Sequence, residues 1–388
     1  MAGIGASAGG IRALQTFFTT LPEKTGIAFV VIVHLAPEHS SELPNILASR
    51  TSMPVVQVGE PVPLEADHVY VTPPDRRLEI GDNHIAARAF EQPRGQRAPI
   101  DLFFRSLAEQ RGDGFAIVLT GAGSDGTVGL KAIKEAGGII LVQDPGEAEY
   151  GSMPRSAIAT GLADFVLPLA DMGRNLLDLA KSKSHVPSAS ELDEQIHVQN
   201  ILDHVRARTG HDFAHYKKST IMRRIARRAQ VNKTERLQDY LTFLKENVEE
   251  VQALFADLLI SVTTFFRDPK AFEALAENVV PQFFASRSID DAIRIWVPGC
   301  ATGEEAYSIA MLLFEEAAKH DVRPEIQVFA TDLDVGALAV AREGLYPPAI
   351  ASDVGEERLL RFFSREGKPL PGQARAARRP PVRDPQPA

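Results

Sequence analysis

The architecture of this chain is set by Gly3-Ile4-Gly5-Ala6-Ser7-Ala8-Gly9-Gly10, close to its start. A short apolar run ends in glycines around one serine and continues into Ile11-Arg12-Ala13-Leu14, which predicts a strand, a sharp turn and a helix. Glycines permit a tight turn, and the free N–H groups of a helix start point towards it. The spacing is that of a nucleophile elbow. The same pattern also occurs in turns that bind phosphate or only join a strand to a helix.

Beyond this turn, short β-branched runs alternate with helical segments as far as about Leu179. The runs Ala28-Phe29-Val30-Val31-Ile32-Val33, Ala116-Ile117-Val118-Leu119 and Gly138-Ile139-Ile140-Leu141-Val142 are apolar throughout, as strands buried on both faces are. This alternation predicts an α/β domain over residues 1–180, with a doubly wound parallel sheet and helices on both faces. Ligand sites in such sheets lie at the carboxyl ends of the strands.

Three residues at predicted strand ends are the types that a Ser-His-Asp triad requires: Ser7, His34 and Asp125. A serine hydroxyl becomes a good nucleophile when a histidine takes its proton and a carboxylate orients that histidine. Each residue also has a simpler interpretation. His34 can bond to backbone at a strand end, and Asp125 can cap a helix that starts near Thr127. The order Ser, His, Asp excludes a standard α/β-hydrolase, in which the acid precedes the histidine.

Four segments make the prediction more specific: Gly5-Ala6-Ser7-Ala8-Gly9-Gly10, Val33-His34-Leu35, Leu119-Thr120-Gly121-Ala122-Gly123-Ser124-Asp125-Gly126-Thr127 and Tyr150-Gly151-Ser152-Met153-Pro154-Arg155-Ser156-Ala157-Ile158. Through them the region resembles the catalytic domain of the CheB family, the chemotaxis protein-glutamate methylesterases. The resemblance implies a carboxylic ester hydrolase with Ser7 as nucleophile, His34 as base and Asp125 as the orienting acid, and with neither cofactor nor metal. Ala122 stands where the family usually has methionine, whose backbone N–H helps to bind the oxyanion.

Composition argues against several other classes of protein: nucleic-acid-binding, membrane-inserted and secreted. The net charge of −9 argues against general binding of nucleic acid, and no apolar run reaches the length of about 18 residues that a membrane span requires. Cys300 is the only cysteine, which rules out an intrachain disulfide and implies no oxidising compartment. The N-terminus lacks the order of a signal peptide. We therefore expect a cytoplasmic protein that neither inserts into membranes nor binds nucleic acid.

Residues 181–196 are polar and small, which predicts a linker, and a small all-α domain follows at 197–256. Its most informative helix runs from Ser219 to Ala229, with Met222, Ile225, Ala226 and Ala229 at helical spacing. The opposite face carries four arginines: Arg223, Arg224, Arg227 and Arg228. Such a face is either simply solvated or a site for carboxylates, which arginine binds through paired hydrogen bonds.

A second α/β unit is predicted at 257–366. A strand over residues 293–297 leads into Pro298-Gly299-Cys300-Ala301-Thr302-Gly303-Glu304-Glu305, and the next strand ends at Thr331-Asp332-Leu333-Asp334. A glycine-bearing turn with an acid at the end of the second strand indicates nucleoside binding. Together with Thr264-Phe265-Phe266-Arg267-Asp268, these segments resemble the CheR family of chemotaxis receptor methyltransferases. The resemblance implies that Thr263, Arg267, Glu305 and Asp332 contact S-adenosylmethionine and that the arginine helix binds the substrate, the acidic methylation helices of chemotaxis receptors.

The last part of the sequence departs from that family. Residues 367–388 are rich in proline and arginine, which predicts a disordered tail unable to form a packed strand. Only two convincing strands of the methyltransferase sheet precede it, so we expect an incomplete Rossmann-like fragment with weak or absent methyl transfer. The expected protein is a methylesterase acting on chemotaxis receptors, fused to an impaired methyltransferase. The alternative is a non-catalytic adaptor that binds receptors through the arginine helix.

Overall fold

The computed structural model describes residues 1–34, 41–90, 97–184, 191–259, 263–285, 292–321, 323–365 and 374–376. The chain forms two compact units, Met1–Ile260 and Ser261–Ala388. The boundary between them lies within a few residues of the predicted start of the second α/β unit at 257. Within the described ranges, no helix combines the length and apolar character needed to cross a membrane.

The first unit begins with an α/β domain, whose elements are as follows. Its strands are β1 (Ala2–Ala6), β2 (Phe29–Val33), β3 (Val55–Gln57), β4 (Val62–Pro63), β5 (Val69–Val71), β6 (Arg77–Gly81), β7 (His84–Arg88), β8 (Phe115–Val118), β9 (Ile139–Gln143) and β10 (Phe165–Leu167). Its helices are α1 (Gly10–Thr19), α2 (Leu43–Ala48), α3 (Pro99–Gln110), α4 (Thr127–Ala136), α5 (Ser152–Ala159) and α6 (Leu169–Ser184).

The main sheet of this domain has seven strands in the order β10-β9-β8-β1-β2-β5-β3, and every pair is parallel. One face packs on α1, α2 and α6, and the other on α3, α4 and α5. The central strands are buried on both faces because their side chains are apolar throughout. The predicted doubly wound α/β fold is confirmed. The strands β4, β7 and β6 form a separate antiparallel sheet.

Four helices complete the first unit: α7 (Glu191–Thr209), α8 (Lys218–Val231), α9 (Leu237–Glu246) and α10 (Val248–Leu259). They pack around one apolar core that includes Ile201, Ile225 and Leu254. The prediction of an all-α domain is confirmed. The predicted linker at 181–196 is too long, because α6 continues to Ser184 and α7 starts at Glu191. Residues 185–190 lie outside the described part of the chain.

The second unit is smaller. Its strands are β11 (Ala292–Pro298), β12 (Glu325–Thr331), β13 (Leu345–Tyr346), β14 (Phe363–Arg365) and β15 (Ala374–Ala376). Its helices are α11 (Pro269–Asn278), α12 (Val280–Phe284), α13 (Glu304–Ala317), α14 (Val335–Glu343), α15 (Ala351–Val354) and α16 (Glu356–Phe362), with a 3-10 turn at Pro348–Ile350.

The two predicted strands, β11 and β12, form a parallel pair. A three-stranded antiparallel sheet in the order β13-β15-β14 lies apart from it. The expectation that the tail forms no strand is wrong at Ala374–Ala376, which pairs on both sides with β13 and β14. The remainder of the predicted tail, 367–373 and 377–388, lies outside the described residues. The predicted weakness of methyl transfer stays a prediction.

Candidate active site

Ser7 lies in the turn between β1 and α1, as the sequence predicts. Gly9 precedes the helix with a φ of 74°, a conformation that glycine adopts without a steric penalty. The Ser7 carbonyl accepts a hydrogen bond of 2.8 Å from the N–H of Gly10, and the Ser7 N–H donates to the Thr120 carbonyl at 3.0 Å. The second bond links the turn to the segment after β8. Ser7 is half-buried, so its backbone is held while its side chain keeps some access to solvent.

His34 and Asp125 form a hydrogen-bonded pair at the same edge of the sheet. His34 follows β2, Asp125 lies in the loop between β8 and α4, and β1 stands between those two strands. The distance between His34 Nε2 and Asp125 Oδ2 is 2.7 Å. The histidine side chain is 38% exposed and the aspartate side chain 8%. The histidine thus faces an accessible edge while its partner is almost enclosed.

The Asp125 carboxylate has two further donors. Its Oδ2 accepts the Ile100 N–H at 3.0 Å, and its Oδ1 accepts the Asp101 N–H at 2.9 Å. Both N–H groups belong to the first turn of α3, where backbone donors have no intrahelical acceptor. Asp125 therefore caps α3, whereas Gly126 with a φ of 99° precedes α4. The alternative of a cap for the helix near Thr127 is wrong, and three donors fix the orientation of the carboxylate.

Asp101 is a buried carboxyl group behind Asp125 that reasoning from the sequence missed. Its side chain accepts the Gly129 N–H at 2.6 Å through Oδ1, and Oδ2 has no hydrogen-bond partner among the described residues. Burial, followed by the nearby charge of Asp125, raises the pKa of Asp101 well above its usual range. In the sequence Asp101 looks like an ordinary acid in the first turn of a helix, so no sequence signal distinguishes it.

We expect Asp101→Asn to change how stability depends on pH. Because the pKa of Asp101 is raised in the folded state, its contribution is complete below the unfolded pKa and is lost as pH rises through the folded pKa. The asparagine would stay neutral and keep the acceptor for Gly129, so the variant should be the more stable protein at alkaline pH by about 1 kcal/mol or more. Urea unfolding of both proteins across the pH range measures this. Arg105, whose charge opposes the shift, stays in both. Parallel stability curves would contradict the prediction.

The Ser7 turn and the loop that carries Asp125 each offer a backbone donor near Ser7. Among the residues that the structure describes, the N–H groups of Ala8 and Ala122 have no acceptor. The Ser152 hydroxyl holds this loop, since it donates to the Gly121 carbonyl at 2.9 Å and accepts the Gly123 N–H at 3.1 Å. The family resemblance includes the segment around Ser152 but gives it no role. Its position supports the backbone that presents Ala122.

Gly121 is in direct contact with the candidate nucleophile. A Cβ atom at this position would lie 2.9 Å from Ser7 Cβ and 2.9 Å from Met153 Sδ. We expect Gly121→Ala to displace the Ser7 side chain and to reduce ester hydrolysis by about 10-fold to 100-fold, since displacements of about 1 Å disturb a reacting geometry. Steady-state kinetics measures the loss. The matched control is Gly59→Ala, because a Cβ there meets nothing within 4 Å. Equal rates for the two variants would contradict the prediction.

The predicted cofactor residues of the second unit lie around the turn after β11. Asp332 follows β12, and its carboxylate accepts the Ala301 N–H at 2.7 Å and the Asp334 N–H at 2.8 Å. Burial raises the pKa of the Cys300 thiol, and the negative charges of Asp332 and Glu305 raise it further. Both acids therefore lie near this turn. Ala301 and two neighbouring glycines have positive φ angles, so small residues line it. The Asp332 carboxylate can accept hydrogen bonds from the hydroxyl groups of a nucleoside at this turn.

The other two predicted cofactor residues lie on the segment that precedes α11. Thr263 is buried, and Arg267 is exposed at the end of the same segment. Between them the Phe266 N–H donates to the Ser308 hydroxyl of α13 at 3.1 Å, which ties the segment to the helix that follows the turn. The role of these two residues in binding a cofactor stays a prediction.

The predicted exposed arginine face is wrong for three of its four members, because Arg224 and Arg227 are buried and Arg228 is half-buried. Arg224 is 1% exposed and Arg227 2%, and both contact the α/β domain of the same unit. Arg228 is paired with Glu250 of α10, with its Nε at 2.9 Å from Glu250 Oε1. Arg223 is exposed as predicted. Helical spacing shows which residues share a face but not whether another domain covers that face.

Comparison with known proteins supports the family resemblance of both the methylesterase-like and the methyltransferase-like segments. Sequence models of three families match it: CheB methylesterase at residues 2–176, the all-alpha domain of CheR methyltransferase at 196–259, and the SAM binding domain of CheR methyltransferase at 261–370. The predicted fusion of CheB-type and CheR-type segments is confirmed. The match to the helical domain ends and the next begins close to the boundary between the two compact units.

Several individual proteins are similar to parts of this chain. A Rhodobacter capsulatus protein, described as an uncharacterized 104.1 kDa protein in the hypE 3' region, is 34% identical over 83% of this chain. The chain spans 36% of that protein's length. A putative protein-glutamate methylesterase/protein-glutamine glutaminase of Leptospira interrogans is 39% identical over 43% of this chain and 87% of its own length. The crystal structure of the Thermotoga maritima CheB methylesterase catalytic domain aligns at 28% identity and a TM-score of 0.43, covering 46% of this chain and 97% of that one.

Proposed function

This chain belongs to the CheB methylesterase family, and from that premise we propose that its first domain hydrolyses γ-methyl esters of glutamate side chains on chemotaxis receptors. The observation that carries the proposal is the hydrogen bond of 2.7 Å between His34 and Asp125, at the sheet edge where the Ser7 turn lies. A histidine oriented by an enclosed carboxylate beside a presented serine is the arrangement that acyl transfer requires.

The proposed mechanism assigns separate roles to the two nitrogens of His34. Because Nε2 bonds to Asp125, Nδ1 is the nitrogen that takes the proton from the Ser7 hydroxyl. The Ser7 oxygen attacks the ester carbonyl, and the tetrahedral intermediate collapses as His34 returns the proton to the departing methanol. A water molecule, deprotonated by His34, then attacks the acyl-enzyme. Cleavage of the bond to Ser7 releases glutamate and restores the hydroxyl.

Backbone donors would stabilise the negative charge on the carbonyl oxygen. The N–H groups of Ala8 and Ala122 are the donors we assign, because both lie in segments that contact Ser7 and neither has another acceptor in the described ranges. The start of α1 adds a favourable dipole at the same place. A backbone donor is independent of the side chain, so alanine at position 122 serves this purpose as methionine does.

A direct assay tests the proposal. The intact chain is incubated with a receptor helix that carries glutamate γ-methyl esters labelled in the methyl group, and released methanol is measured. We expect release that rises linearly with protein concentration. If the folded protein releases no methanol above the rate without protein, while an independent methylesterase releases it from the same substrate, the proposed function is wrong.

For the second unit we propose S-adenosylmethionine as the ligand, because the family model that matches it is a SAM binding domain and the turn after β11 fits a nucleoside. When bound, this cofactor supplies the methyl group for transfer to a carboxylate. Asp332 would hold the ribose hydroxyls, and the small residues of the turn would allow the backbone to approach the ligand.

We expect Asp332→Asn to weaken binding of S-adenosylmethionine by about 10-fold to 100-fold, because a hydrogen bond to a charged acceptor contributes about 1.5–3 kcal/mol. The asparagine oxygen can still accept the Ala301 N–H and only the bond from the Asp334 N–H is lost, so the turn itself should persist. Calorimetric titration of the intact chain measures the affinity. Glu325→Gln, an exposed position at the start of the same strand, is the matched control. Unchanged affinity in the Asp332 variant would show that this residue does not bind the cofactor.

A further inference from the structure

The arginine helix α8 lies against the esterase domain within the first unit. The Arg224 guanidinium donates to the carbonyls of Lys134 and Glu135, the latter at 2.8 Å, and Arg227 Nε donates to the Gly138 carbonyl at 2.9 Å. These carbonyls lie at and just beyond the C-terminal end of α4, where oxygens lack intrahelical donors and the helix dipole favours a cation. The two arginines thus serve as the C-terminal cap of a helix in another domain.

A closed group of four charges lies beside this cap. Arg227 forms ion pairs with Asp164 of the esterase domain and with Asp257 of α10. Lys134 Nζ lies 3.0 Å from Asp164 Oδ1 and 3.3 Å from Asp257 Oδ1. All four side chains are between 1% and 13% exposed. Burial would raise the pKa of Asp164, but Arg227 and Lys134 hold that pKa below its usual value.

Each domain contributes one acid and one base to this group. Lys134 and Asp164 come from the esterase domain, whereas Arg227 and Asp257 come from the helical domain. Every charge in the group therefore has an opposite charge from the other domain as a partner. Separation would leave a positive and a negative charge on each side exposed to water, and either could then bind a different partner.

Further contacts extend the interface from α4 to α6. Gln230 Nε2 donates to the Leu179 carbonyl at 2.8 Å, and Lys233 Nζ lies 3.6 Å from Asp178 Oδ2. Val231, at the end of α8, packs against the apolar core of the esterase domain. The stem of Arg223 lies on Gly137, where an added Cβ would meet its Cγ at 2.8 Å. One helix thereby joins two helices of the esterase domain through polar and apolar contacts.

We propose that α8 has its partner within the chain: the esterase domain occupies Arg224 and Arg227, and an acidic helix from outside must displace that domain to reach them. The guanidinium groups that would bind carboxylates already use their N–H groups on α4 carbonyls and on Asp164 and Asp257. Arg224 also keeps a buried Nε without an acceptor in the described part of the chain. The hydrogen bonding of Arg224 to the esterase domain is therefore incomplete, as expected for an interface that can open.

Chemical labelling of the intact chain tests the contact without a substitution. Phenylglyoxal modifies accessible guanidinium groups, and mass spectrometry of peptides gives a rate for each arginine. Arg223 is exposed on the same helix and serves as the internal reference. We expect Arg224 and Arg227 to react at least about 10-fold more slowly than Arg223. Equal rates in the folded protein would overturn the proposal.

A variant tests the competition. Asp164→Asn keeps the shape of the side chain and an acceptor for the Ile140 N–H, but it removes the charge that pairs with Arg227. We expect faster labelling of Arg227 and at least about 10-fold tighter binding of a fluorescent glutamate-rich helical peptide, measured by anisotropy. Asp82→Asn, at an exposed turn of the same domain, should change neither. If the parent chain binds the peptide as tightly as the Asp164 variant, the esterase domain does not block binding to α8 and the proposal is wrong. If the variant fails to fold, the labelling rates of the parent chain decide.

Discussion

Replacement of Ser7 by alanine is expected to lower kcat for methanol release by at least about 10⁴-fold, because no acyl-enzyme can form without the hydroxyl. The turn itself should persist. Its two hydrogen bonds, from Ser7 N–H to the Thr120 carbonyl and from Gly10 N–H to the Ser7 carbonyl, are made by backbone atoms. Methanol release from a methylated receptor helix measures the rate, and the unfolding midpoint shows that the fold is retained.

The control for this variant is Ser156→Ala. Ser156 is a serine on α5 whose hydroxyl donates to the Gly123 carbonyl at a long 3.4 Å, its one hydrogen bond among the described residues. We expect its rate to stay within about 3-fold of the parent protein, since surface substitutions of this kind have small effects. Methanol release by Ser7→Ala above about 1% of the parent rate would show that another group is the nucleophile.

Replacement of Asp125 by asparagine is expected to lower kcat by about 10³-fold to 10⁴-fold while leaving the fold intact. The amide group can donate to His34 Nε2, which favours the tautomer with a proton on Nδ1. His34 would then have no free nitrogen to accept the proton of Ser7. The carboxylate also accepts the N–H groups of Ile100 and Asp101, so we expect the variant to lose about 1 kcal/mol of stability through the weakened cap of α3.

Two measurements separate these effects of the Asp125 variant: methanol release reports the reaction, and urea unfolding reports the cap. Asp144→Asn is the matched control, because Asp144 follows β9 at the same sheet edge and its side chain accepts the N–H of Gly146, a bond that asparagine can also accept. We expect neither quantity to change there. A kcat within about 10-fold of the parent for Asp125→Asn would contradict the proposed role of this carboxylate.

Much of the esterase site could be predicted because its geometry follows from local rules. Apolar runs identify buried parallel strands, and the carboxyl ends of such strands meet at one edge, so Ser7, His34 and Asp125 could be assigned to one place before any contact was known. Glycines around Ser7 predicted the turn for a steric reason that does not depend on the rest of the chain. The hydrogen bond between His34 and Asp125 joins residues 91 positions apart, and it agrees with that assignment.

The features that the sequence did not predict depend on contacts between segments that are distant in the chain. The buried carboxyl group of Asp101 results from α3 and α4 starting side by side, which no periodicity encodes. The burial of Arg224 results from its contacts with two carbonyls that lie 90 and 89 residues earlier in the chain. A helical pattern with four arginines has the same appearance in the sequence whether water or a protein covers it. The prediction of an exposed face was wrong for that physical reason.

The length of α4 limits which insertions and deletions this chain can tolerate. It begins two residues after Asp125 and ends at the carbonyls that Arg224 caps, over 10 residues, or about 15 Å. Each residue in a helix turns the chain by about 100°, so removing one residue would rotate those carbonyls away from Arg224 or carry Asp125 away from His34. The number of residues in α4 is therefore constrained at both ends.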